Sequence, residues 1–437
     1  MNQPSPDRRR QWLLPRHEIE AEQLDRLNHL LTVAVVSSPL YRNKFGAEPP
    51  RFDSLEAFRA LPTTSKEELL SAAEADQWRT EPDRAYVRRH ETSGTRGKPL
   101  EVLDTAEDWQ WWIDTWGHVL DAAGIGPGDR ALLAFSFGPF IGFWSAFDAL
   151  VAQGVRVIPG GGMGSRARGE LIARSGATVL LATPTYALHL AEELGMKATR
   201  SSIKKVLLAG EPGGSIPETR QRIEQAWDAE VIDHAGATEV GPWGFGDERL
   251  APISGAAVGP GLRVIETEFL AEFLSVETGK PAAAGELSHL LLTPLGRFGS
   301  PVIRYRTGDL VRPAWPVGPV VEGGCGFVRL EGGVLARADD MMIVRGVNVF
   351  PSSIERILHS FPEVTEHRVT VRKRGQMDEI VVEVEDRLGL PERIAQELRL
   401  RLGLRIEVQL VTPQSLPRSE GKSRRFRDLR KQPDVVV

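Results

Sequence analysis

The chain has 437 residues, of which 41% are hydrophobic and 26% charged, and its formal net charge is −5. This length and composition predict a globular protein of roughly two or three structural units. Acidic and basic residues are mixed throughout, so neither nucleic acid nor a membrane surface is an expected partner. No apolar segment follows the basic residues near the start, which predicts a cytoplasmic protein, and the single cysteine, Cys325, excludes an internal disulfide.

The first informative element is ALLAFSFGPFIGFWSAF at 131–147, which carries no charge. It is too short and too interrupted by glycine and proline for a membrane-spanning helix, and it predicts a buried strand, a loop over a pocket and a helix. Further along, GVRVIPG, ATVLLATP and IKKVLLAGEP are typical of short buried strands, and RARGELIARSG and PETRQRIEQAWD of helices. The alternation predicts an α/β fold with a mostly parallel sheet, whose ligands lie beyond the carboxyl ends of the strands.

The pattern changes after residue 310. VRPAWPVGPVVEGGCG is rich in proline and glycine and predicts a loop or small β excursion. EHRVTVRKRGQMDEIVVEVED then predicts a hairpin, PERIAQELRLRLG a helix and RIEVQLV a strand. The chain therefore ends in a small α/β unit.

A loop rich in serine, threonine and glycine, HETSGTRGKPLEV, occupies residues 90–102. It is not a Walker phosphate loop, because Lys98 is followed by Pro99 and the glycine spacing is wrong. IPGGGMG likewise lacks the dinucleotide-binding pattern. Taken alone, a loop of this composition is more often a flexible surface turn than a phosphate binder, so its interpretation depends on other segments.

Two of those segments carry oxygen ligands. In HAGATEVGP, Thr238 and Glu239 follow a predicted strand, and a hydroxyl with a carboxylate suits Mg²⁺ beside a substrate phosphate. The alternative is that Thr238 caps a helix. In RYRTGDL, Asp309 is either a carboxylate for ribose hydroxyls or an ordinary turn residue.

With LLAGEPGG, ARADDMMIVRGVNVFPSSIE and LPRSEGKSRRFRD, in this order, these segments resemble the adenylate-forming superfamily, and in detail its phenylacetate–CoA ligase branch. The resemblance extends from about residue 30 to residue 430. It implies a large N-terminal adenylation domain with mostly parallel sheets, residues 1–338, and a small mobile C-terminal α/β domain, residues 339–437. It also implies an AMP-forming acid–thiol ligase that uses ATP, Mg²⁺ and coenzyme A.

The family implies roles for individual residues. Glu239 is expected to hold Mg²⁺, Lys98 and Lys422 to offset charge during adenylation, and Asp339 to act as the hinge about which the small domain turns for the thiol step. The residues expected to contact ATP are Ser93, Gly94, Thr95, Gly97, Gly210, Glu211, Pro212, Asp233, Thr238, Asp309 and Arg337. The residues that either meet the phosphates of coenzyme A or form a solvated basic tail are Arg424, Arg425 and Arg427.

The expected acyl substrate is a small aromatic acid. The candidate pocket residues are Phe135, Phe137, Phe140, His234, Ala235 and Gly236. Ala235 replaces the tyrosine that the family usually carries, so one bulky wall is missing. Aromatic walls favour a planar ring, and resemblance to anthranilate–CoA ligases of quinolone biosynthesis, such as the aurachin pathway, favours anthranilate.

Three alternatives stay open. Phenylacetate is the alternative substrate, and a carrier protein is the alternative acceptor for a free-standing adenylating enzyme. An idle protein that only binds acyl-adenylate is disfavoured by Lys422, Asp309 and Glu239 together. A homodimer is the candidate assembly by family analogy.

Overall fold

The computed structural model describes residues 5–92, 98–135, 138–139, 141–251, 259–338, 342–344, 347–374, 377–402, 404–417 and 425–430. Its helices are α1 Pro6–Trp12, α2 Arg16–Ser37, α3 Pro39–Phe45, α4 Leu55–Phe58, α5 Lys66–Glu74, α6 Ala106–Ala122, α7 Gly142–Ala152, α8 Ser165–Ser175, α9 Pro184–Leu194, α10 Met196–Thr199, α11 Pro217–Trp227, α12 Pro351–His359 and α13 Pro391–Leu402. Its strands are β1 Tyr86–Glu91, β2 Glu101–Thr105, β3 Arg130–Leu133, β4 Arg156–Pro159, β5 Val179–Ala182, β6 Lys205–Leu208, β7 Glu230–Ala237, β8 Gly241–Gly246, β9 Gly261–Val264, β10 Phe269–Ser275, β11 Ser288–Pro294, β12 Tyr305–Val311, β13 Pro313–Ala314, β14 Arg329–Glu331, β15 Ala336–Arg337, β16 Met342–Val344, β17 Val347–Val349, β18 Val364–Arg374, β19 Met377–Asp386, β20 Glu407–Leu410 and β21 Phe426–Asp428.

The main sheet has the strand order β13-β14-β9-β8-β7-β6-β5-β3-β4. Its part from β4 to β7 is parallel. Beyond β7 the pairings with β8, β9, β14 and β13 are antiparallel. Strand β7 is therefore the point at which the sheet changes direction.

Helices cover both faces of the parallel part. Because successive side chains of a strand point to opposite faces, Leu132 and Leu180 pack into one hydrophobic cluster and Leu133 and Leu181 into the other. α8, α9 and α11 contribute to the first cluster, and α6 and α7 to the second. Burial on both faces explains why these strands are almost continuously apolar.

A second, antiparallel sheet has the order β10-β11-β12-β15. Strand β12 begins at Tyr305 and contains Asp309, which pairs with Arg337 of β15. Thr64, just before α5, forms a parallel bridge to Tyr305. This sheet therefore fixes the start of α5 next to β12.

The C-terminal unit has its own sheet, β20-β19-β18-β21, and its own hydrophobic cluster. It contacts the larger unit where Thr219 Oγ1 of α11 lies 2.6 Å from His359 Nδ1 of α12. Arg387 Nη2 also lies 3.0 Å from Glu192 Oε1 of α9.

The structure confirms the predicted α/β fold. The segments predicted as strands form β4, β5 and β6, those predicted as helices form α8 and α11, and the predicted hairpin is β18–β19. The uncharged stretch at 131–147 contains the end of β3 and the start of α7. None of the helices in the described ranges is both long and apolar enough to cross a membrane.

Candidate active site

The predicted adenine-contacting segment lies at the carboxyl edge of the parallel sheet. β6 ends at Leu208, which is paired with Asp233 of β7. The loop after β6 holds Gly210, Glu211 and Pro212. Gly210 has φ +93°, a conformation that favours glycine. The Glu211 carboxylate accepts a hydrogen bond from the Thr185 amide at 2.9 Å, so this side chain ties the loop to the start of α9.

Two acids lie close together at this edge, the buried Asp233 and the half-buried Glu248. Asp233 Oδ2 accepts a hydrogen bond from Ser215 Oγ at 2.6 Å, and burial raises the pKa of Asp233 to about 6. Burial also raises the pKa of Glu248 to about 7, although Arg220 Nη1 donates to Glu248 Oε1 at 2.7 Å. A side chain at Gly214 would meet Asp233, because a Cβ there would lie 2.5 Å from Oδ1. The edge therefore has a charge that changes near neutral pH.

Thr238 and Glu239 lie in the tight turn between β7 and β8. β7 ends at Ala237, β8 begins at Gly241, and the Val240 amide donates to the Ala237 carbonyl at 3.2 Å. Because a strand follows the turn, the helix-cap interpretation of Thr238 is wrong.

Glu239 lies among groups that stabilise its negative charge. Lys66 Nζ is 3.1 Å from Glu239 Oε1, and Tyr305 Oη donates to the same oxygen at 3.2 Å. Arg297 Nη1 donates to the Glu239 backbone carbonyl at 2.7 Å and holds the turn. Burial raises the pKa of Tyr305 above its ordinary value, so its phenol stays protonated and donates.

Asp309 and Arg337 form an ion pair across the β12–β15 ladder, with Arg337 Nη1 2.7 Å from Asp309 Oδ1. Both charges act on the Tyr305 phenol, which also contacts Glu239. The structure therefore brings together Asp309 and Arg337, which the sequence placed at the nucleotide, and Glu239, which it placed at Mg²⁺.

His234 lies near the end of β7, next to Asp233 in the chain. Its Nδ1 is 2.7 Å from the Gly244 carbonyl oxygen, which can only accept, so Nδ1 carries the proton. Burial lowers the pKa of His234 to about 4, so the ring is neutral and Nε2 is an acceptor. A Cβ at the exposed Gly236 would lie 3.3 Å from Nε2, and the Trp116 ring packs on the imidazole with 4.2 Å between centroids.

The remaining predicted pocket residues are only partly placed. Ala235 is half-buried and pairs with Gly244. Phe135 is also half-buried and packs against the core cluster of α6 and α7. Phe137 and Phe140 lie outside the described residues.

The phosphate-loop prediction falls mainly outside the described residues, since it includes Ser93, Gly94, Thr95 and Gly97. The loop joins β1 to β2, and the Glu91 amide at its start donates to the Pro139 carbonyl at 2.7 Å. Lys98 Nζ lies 2.9 Å from Glu74 Oε1 with 79% of the lysine side chain exposed. Phosphate binding by this loop stays a prediction.

The same holds for the C-terminal residues. Lys422, Asp339 and Arg424 lie outside the described residues. Arg425 Nη2 donates to Glu366 Oε2 at 3.0 Å, so this guanidinium is engaged within the C-terminal unit. Arg427 is exposed in β21.

The residues at the turn fit Mg²⁺ that arrives with a nucleotide. Within the described ranges, no group of three or more His, Cys, Asp and Glu side chains could hold a metal ion. Mg²⁺ commonly binds through one or two carboxylates and substrate phosphates, and Glu239 with the Thr238 hydroxyl supplies hard oxygen donors of this kind. Cys325 is buried and its thiol pKa is raised to about 12, so it is not a thiolate ligand.

Sequence reasoning missed four side chains of the site: Lys66, Trp116, Arg297 and Tyr305. Tyr305 was detectable, because it lies in RYRTGDL four residues before Asp309. Lys66 and Arg297 come from distant segments and carry no local signal. Trp116 belongs to the tryptophan-rich α6, where it is indistinguishable from a core residue.

Comparison with known proteins finds one family model and several curated relatives. The AMP-binding enzyme C-terminal domain family matches residues 346–430. The phenylacetate-coenzyme A ligase of Escherichia coli (strain K12) is 32% identical over 432 residues, which cover 94% of this chain and 95% of that protein.

Solved structures give the same fold. A 2-hydroxyisobutyryl-CoA ligase in the postadenylation state has a TM-score of 0.88 at 26% identity, covering 97% of this chain and 93% of that one. The same enzyme in the thioesterification state has a TM-score of 0.71 at 27% identity, covering 98% and 94%. An anthranilate CoA ligase with bound anthranoyl-AMP has a TM-score of 0.57 at 18% identity, covering 78% and 66%, which indicates a shared fold alone.

Proposed function

Because the chain belongs to the phenylacetate–coenzyme A ligase family of adenylate-forming enzymes, and is therefore an AMP-forming acid–thiol ligase, we propose that it joins a small aromatic carboxylic acid to coenzyme A. The observation that carries this proposal is the end of β7. It presents a neutral, ring-packed surface at His234–Gly236 and, after one turn, the Glu239 carboxylate among cationic and donor groups.

The proposed reaction has two half-reactions, which use the Glu239 side of the site for ATP and the His234–Gly236 side for the acid. The substrate carboxylate attacks the α-phosphorus of ATP and pyrophosphate leaves; the thiol of coenzyme A then attacks the acyl carbonyl and AMP leaves. Glu239 would hold Mg²⁺, which would supply positive charge to the phosphates. Lys422 neutralises charge between carboxylate and α-phosphate, and Asp309 with Arg337 orients the nucleotide.

The C-terminal unit changes position between the half-reactions. Asp339 is the hinge, and rotation about it removes Lys422 from the site and brings in the VRGVN loop. One related enzyme has been solved in the postadenylation and the thioesterification states, and this chain is more similar to the postadenylation state. That difference supports two arrangements of the C-terminal unit.

The proposed substrate is anthranilate. An ortho amine has N–H groups that can donate to His234 Nε2, whose acceptor role is fixed by the bond from Nδ1 to Gly244. The neutral imidazole makes this interaction independent of protonation above its lowered pKa of about 4. Gly236 is exposed and lacks a side chain that would cover Nε2.

Phenylacetate is the second candidate, and the named activity of the 32% identical relative favours it. Phenylacetate has no ring donor, so it would leave His234 Nε2 without an interaction from the substrate. Its extra methylene moves the ring away from the carboxylate.

A substrate panel tests the proposal. kcat/KM for AMP release should be measured with coenzyme A and anthranilate, benzoate, salicylate, phenylacetate or medium-chain fatty acids. Anthranilate should lead by at least about tenfold, or ~1.4 kcal/mol. Phenylacetate in first place would reject anthranilate, and a fatty acid in first place would reject the aromatic pocket.

A second assay identifies the acceptor. Thioester formation should be compared with coenzyme A and with a phosphopantetheinylated carrier protein as the thiol. Faster transfer to the carrier protein would replace the coenzyme A ligase by a free-standing adenylating enzyme.

A further inference from the structure

Lys66 is a cation at the active site that neither half-reaction has so far used. Its Nζ lies 3.1 Å from Glu239 Oε1, and 39% of its side chain is exposed, against 9% for Glu239. The lysine therefore reaches a nearly buried carboxylate from a partly exposed position.

The backbone holds Lys66 at a fixed place relative to the site. The Thr64 amide donates to the Arg304 carbonyl, and the Arg306 amide to the Thr64 carbonyl, both at 2.9 Å. Ser65 then caps α5 through a capping box with Glu68. Since these bonds tie the start of α5 to β12, Lys66 is pre-positioned beside the Tyr305 phenol.

Both side-chain contacts of Glu239 in the described chain go to one oxygen, Oε1. Tyr305 donates a neutral hydrogen bond and can stay when a divalent cation binds Glu239. The Lys66 ammonium, by contrast, is repelled by that cation, and it has an exposed, flexible side chain with which to move. It can then pair with the phosphates that accompany the cation.

We propose, resting on the proposed function, that Lys66 is a further catalytic cation of the adenylation step: it neutralises Glu239 before Mg²⁺–ATP binds and moves to the β- and γ-phosphates when Mg²⁺ takes Glu239. There it offsets the charge that develops on the leaving pyrophosphate. No covalent bond to Lys66 forms, and the side chain acts through its position beside the phosphates.

The test compares Lys66→Met, Lys66→Arg and a matched control, Lys44→Met. Lys44 contacts the same turn, with Nζ 2.7 Å from the Thr63 carbonyl and 2.8 Å from Glu68 Oε1, and so reports any general damage there. Calorimetry on the full chain should give the affinities for ATP and for AMP, both with Mg²⁺ and without acid or coenzyme A.

Lys66→Met should weaken ATP binding by about tenfold and leave AMP binding within about twofold, because AMP lacks the β- and γ-phosphates. Acid-dependent ATP–pyrophosphate exchange should fall by at least about tenfold, and Lys66→Arg should recover most of both losses. Lys44→Met should keep the ATP-to-AMP affinity ratio of the unmodified protein.

Unchanged ATP affinity in Lys66→Met, an equal loss for AMP, or the same ratio change in Lys44→Met would overturn the proposal. The binding measurements need no acyl substrate. A wrong assignment of the aryl acid or of coenzyme A would therefore appear in the turnover assays and leave the affinities for ATP and AMP as they are.

Discussion

The two ends of one short segment, His234 and Glu239, have opposite surroundings. His234 is neutral, packed against Trp116 and bonded to a backbone carbonyl, whereas Glu239 contacts Lys66 and the Tyr305 hydroxyl. Strand β7 and the turn after it deliver both residues. A single element therefore joins a surface suited to an uncharged ring to one suited to phosphates and a cation.

This difference separates specificity from chemistry. Changes on the Glu239 side should slow adenylation of every acid by the same factor, because they act on groups common to all substrates. Changes on the His234 side should alter the ranking of acids. Each prediction below tests whether the two sides are independent in this sense.

The largest effect is expected for Lys422→Ala. Loss of its charge between carboxylate and α-phosphate should lower acid-dependent ATP–pyrophosphate exchange by several orders of magnitude. Conversion of supplied acyl-AMP and coenzyme A to thioester should persist, since the proposed rotation takes the lysine out of the site before that step. Equal damage to both half-reactions would remove Lys422 from the proposed role.

Glu239→Gln should come next, with a loss on the order of a hundredfold in exchange for each acid tested. The glutamine keeps the shape of the side chain and can still accept from Tyr305, but it is a poor partner for Mg²⁺. Tyr305→Phe is the matched control: it removes the hydroxyl 3.2 Å from Oε1 and keeps the carboxylate. Its loss should be smaller, and a loss equal to that of Glu239→Gln would mean that the turn itself was disturbed.

A change at the proposed hinge should affect the rates of the two half-reactions differently and leave the ranking of the acids unchanged. Proline at position 339 fixes φ and restricts the backbone of the preceding residue, which should hinder the rotation. Asp339→Pro should therefore slow thioester formation by about tenfold and adenylation by less. Single-turnover measurements of acyl-AMP formation and of its consumption by coenzyme A would resolve the two. Normal rates in both would place the hinge elsewhere.

Much of this site could be predicted from the sequence, because its parts lie in short segments with fixed offsets. The turn after β7 carries Glu239. The segment RYRTGDL carries Asp309 and, four residues earlier, Tyr305, which contacts Glu239. The fold was predictable for a similar reason: apolar strands and amphipathic helices such as β6 and α11 are encoded locally.

What could not be predicted depends on contacts between distant segments. Lys66 reaches Glu239 only because Thr64 pairs with Tyr305, a contact across most of the N-terminal part of the chain. The tautomer of His234 depends on Gly244, which β8 brings opposite β7. The Thr238 turn was ambiguous because a hydroxyl after a strand suits a helix cap and a hairpin equally well.

On the acyl side, His234→Asn should lower the preference for anthranilate over benzoate by about tenfold, or ~1.4 kcal/mol. The asparagine amide can donate to Gly244 in place of Nδ1 but has no acceptor where Nε2 lies. His234→Gln, whose longer side chain can place its amide oxygen near Nε2, should keep more of the preference. The ratio of kcat/KM values measures this, and an unchanged ratio in both variants would mean that His234 does not contact the ring substituent.

The smallest effect concerns stability and arises at the buried Asp233, just before His234, and the half-buried Glu248, whose carboxylate contacts the Asp233 amide. Burial raises both pKa values, to about 6 and about 7, above the ordinary 3.8 and 4.5. A raised carboxyl pKa means that the folded state binds protons more tightly than the unfolded state, so stability is lost as pH rises from about 4.5 to about 7.

Glu248→Gln keeps a group that can accept from Arg220 but cannot ionise, so the difference in apparent unfolding free energy between pH 5 and pH 8 should shrink by on the order of 1 kcal/mol. Urea unfolding of the full chain at the two pH values measures this, with Glu224→Gln as control, since Glu224 also contacts Arg220 but is more exposed. If the unmodified protein and Glu248→Gln lose equal stability over this range, Glu248 ionises as easily in the fold as in the unfolded chain. An unchanged substrate ranking in Glu248→Gln would also indicate that the charge at this edge is separate from the choice of acid proposed for His234.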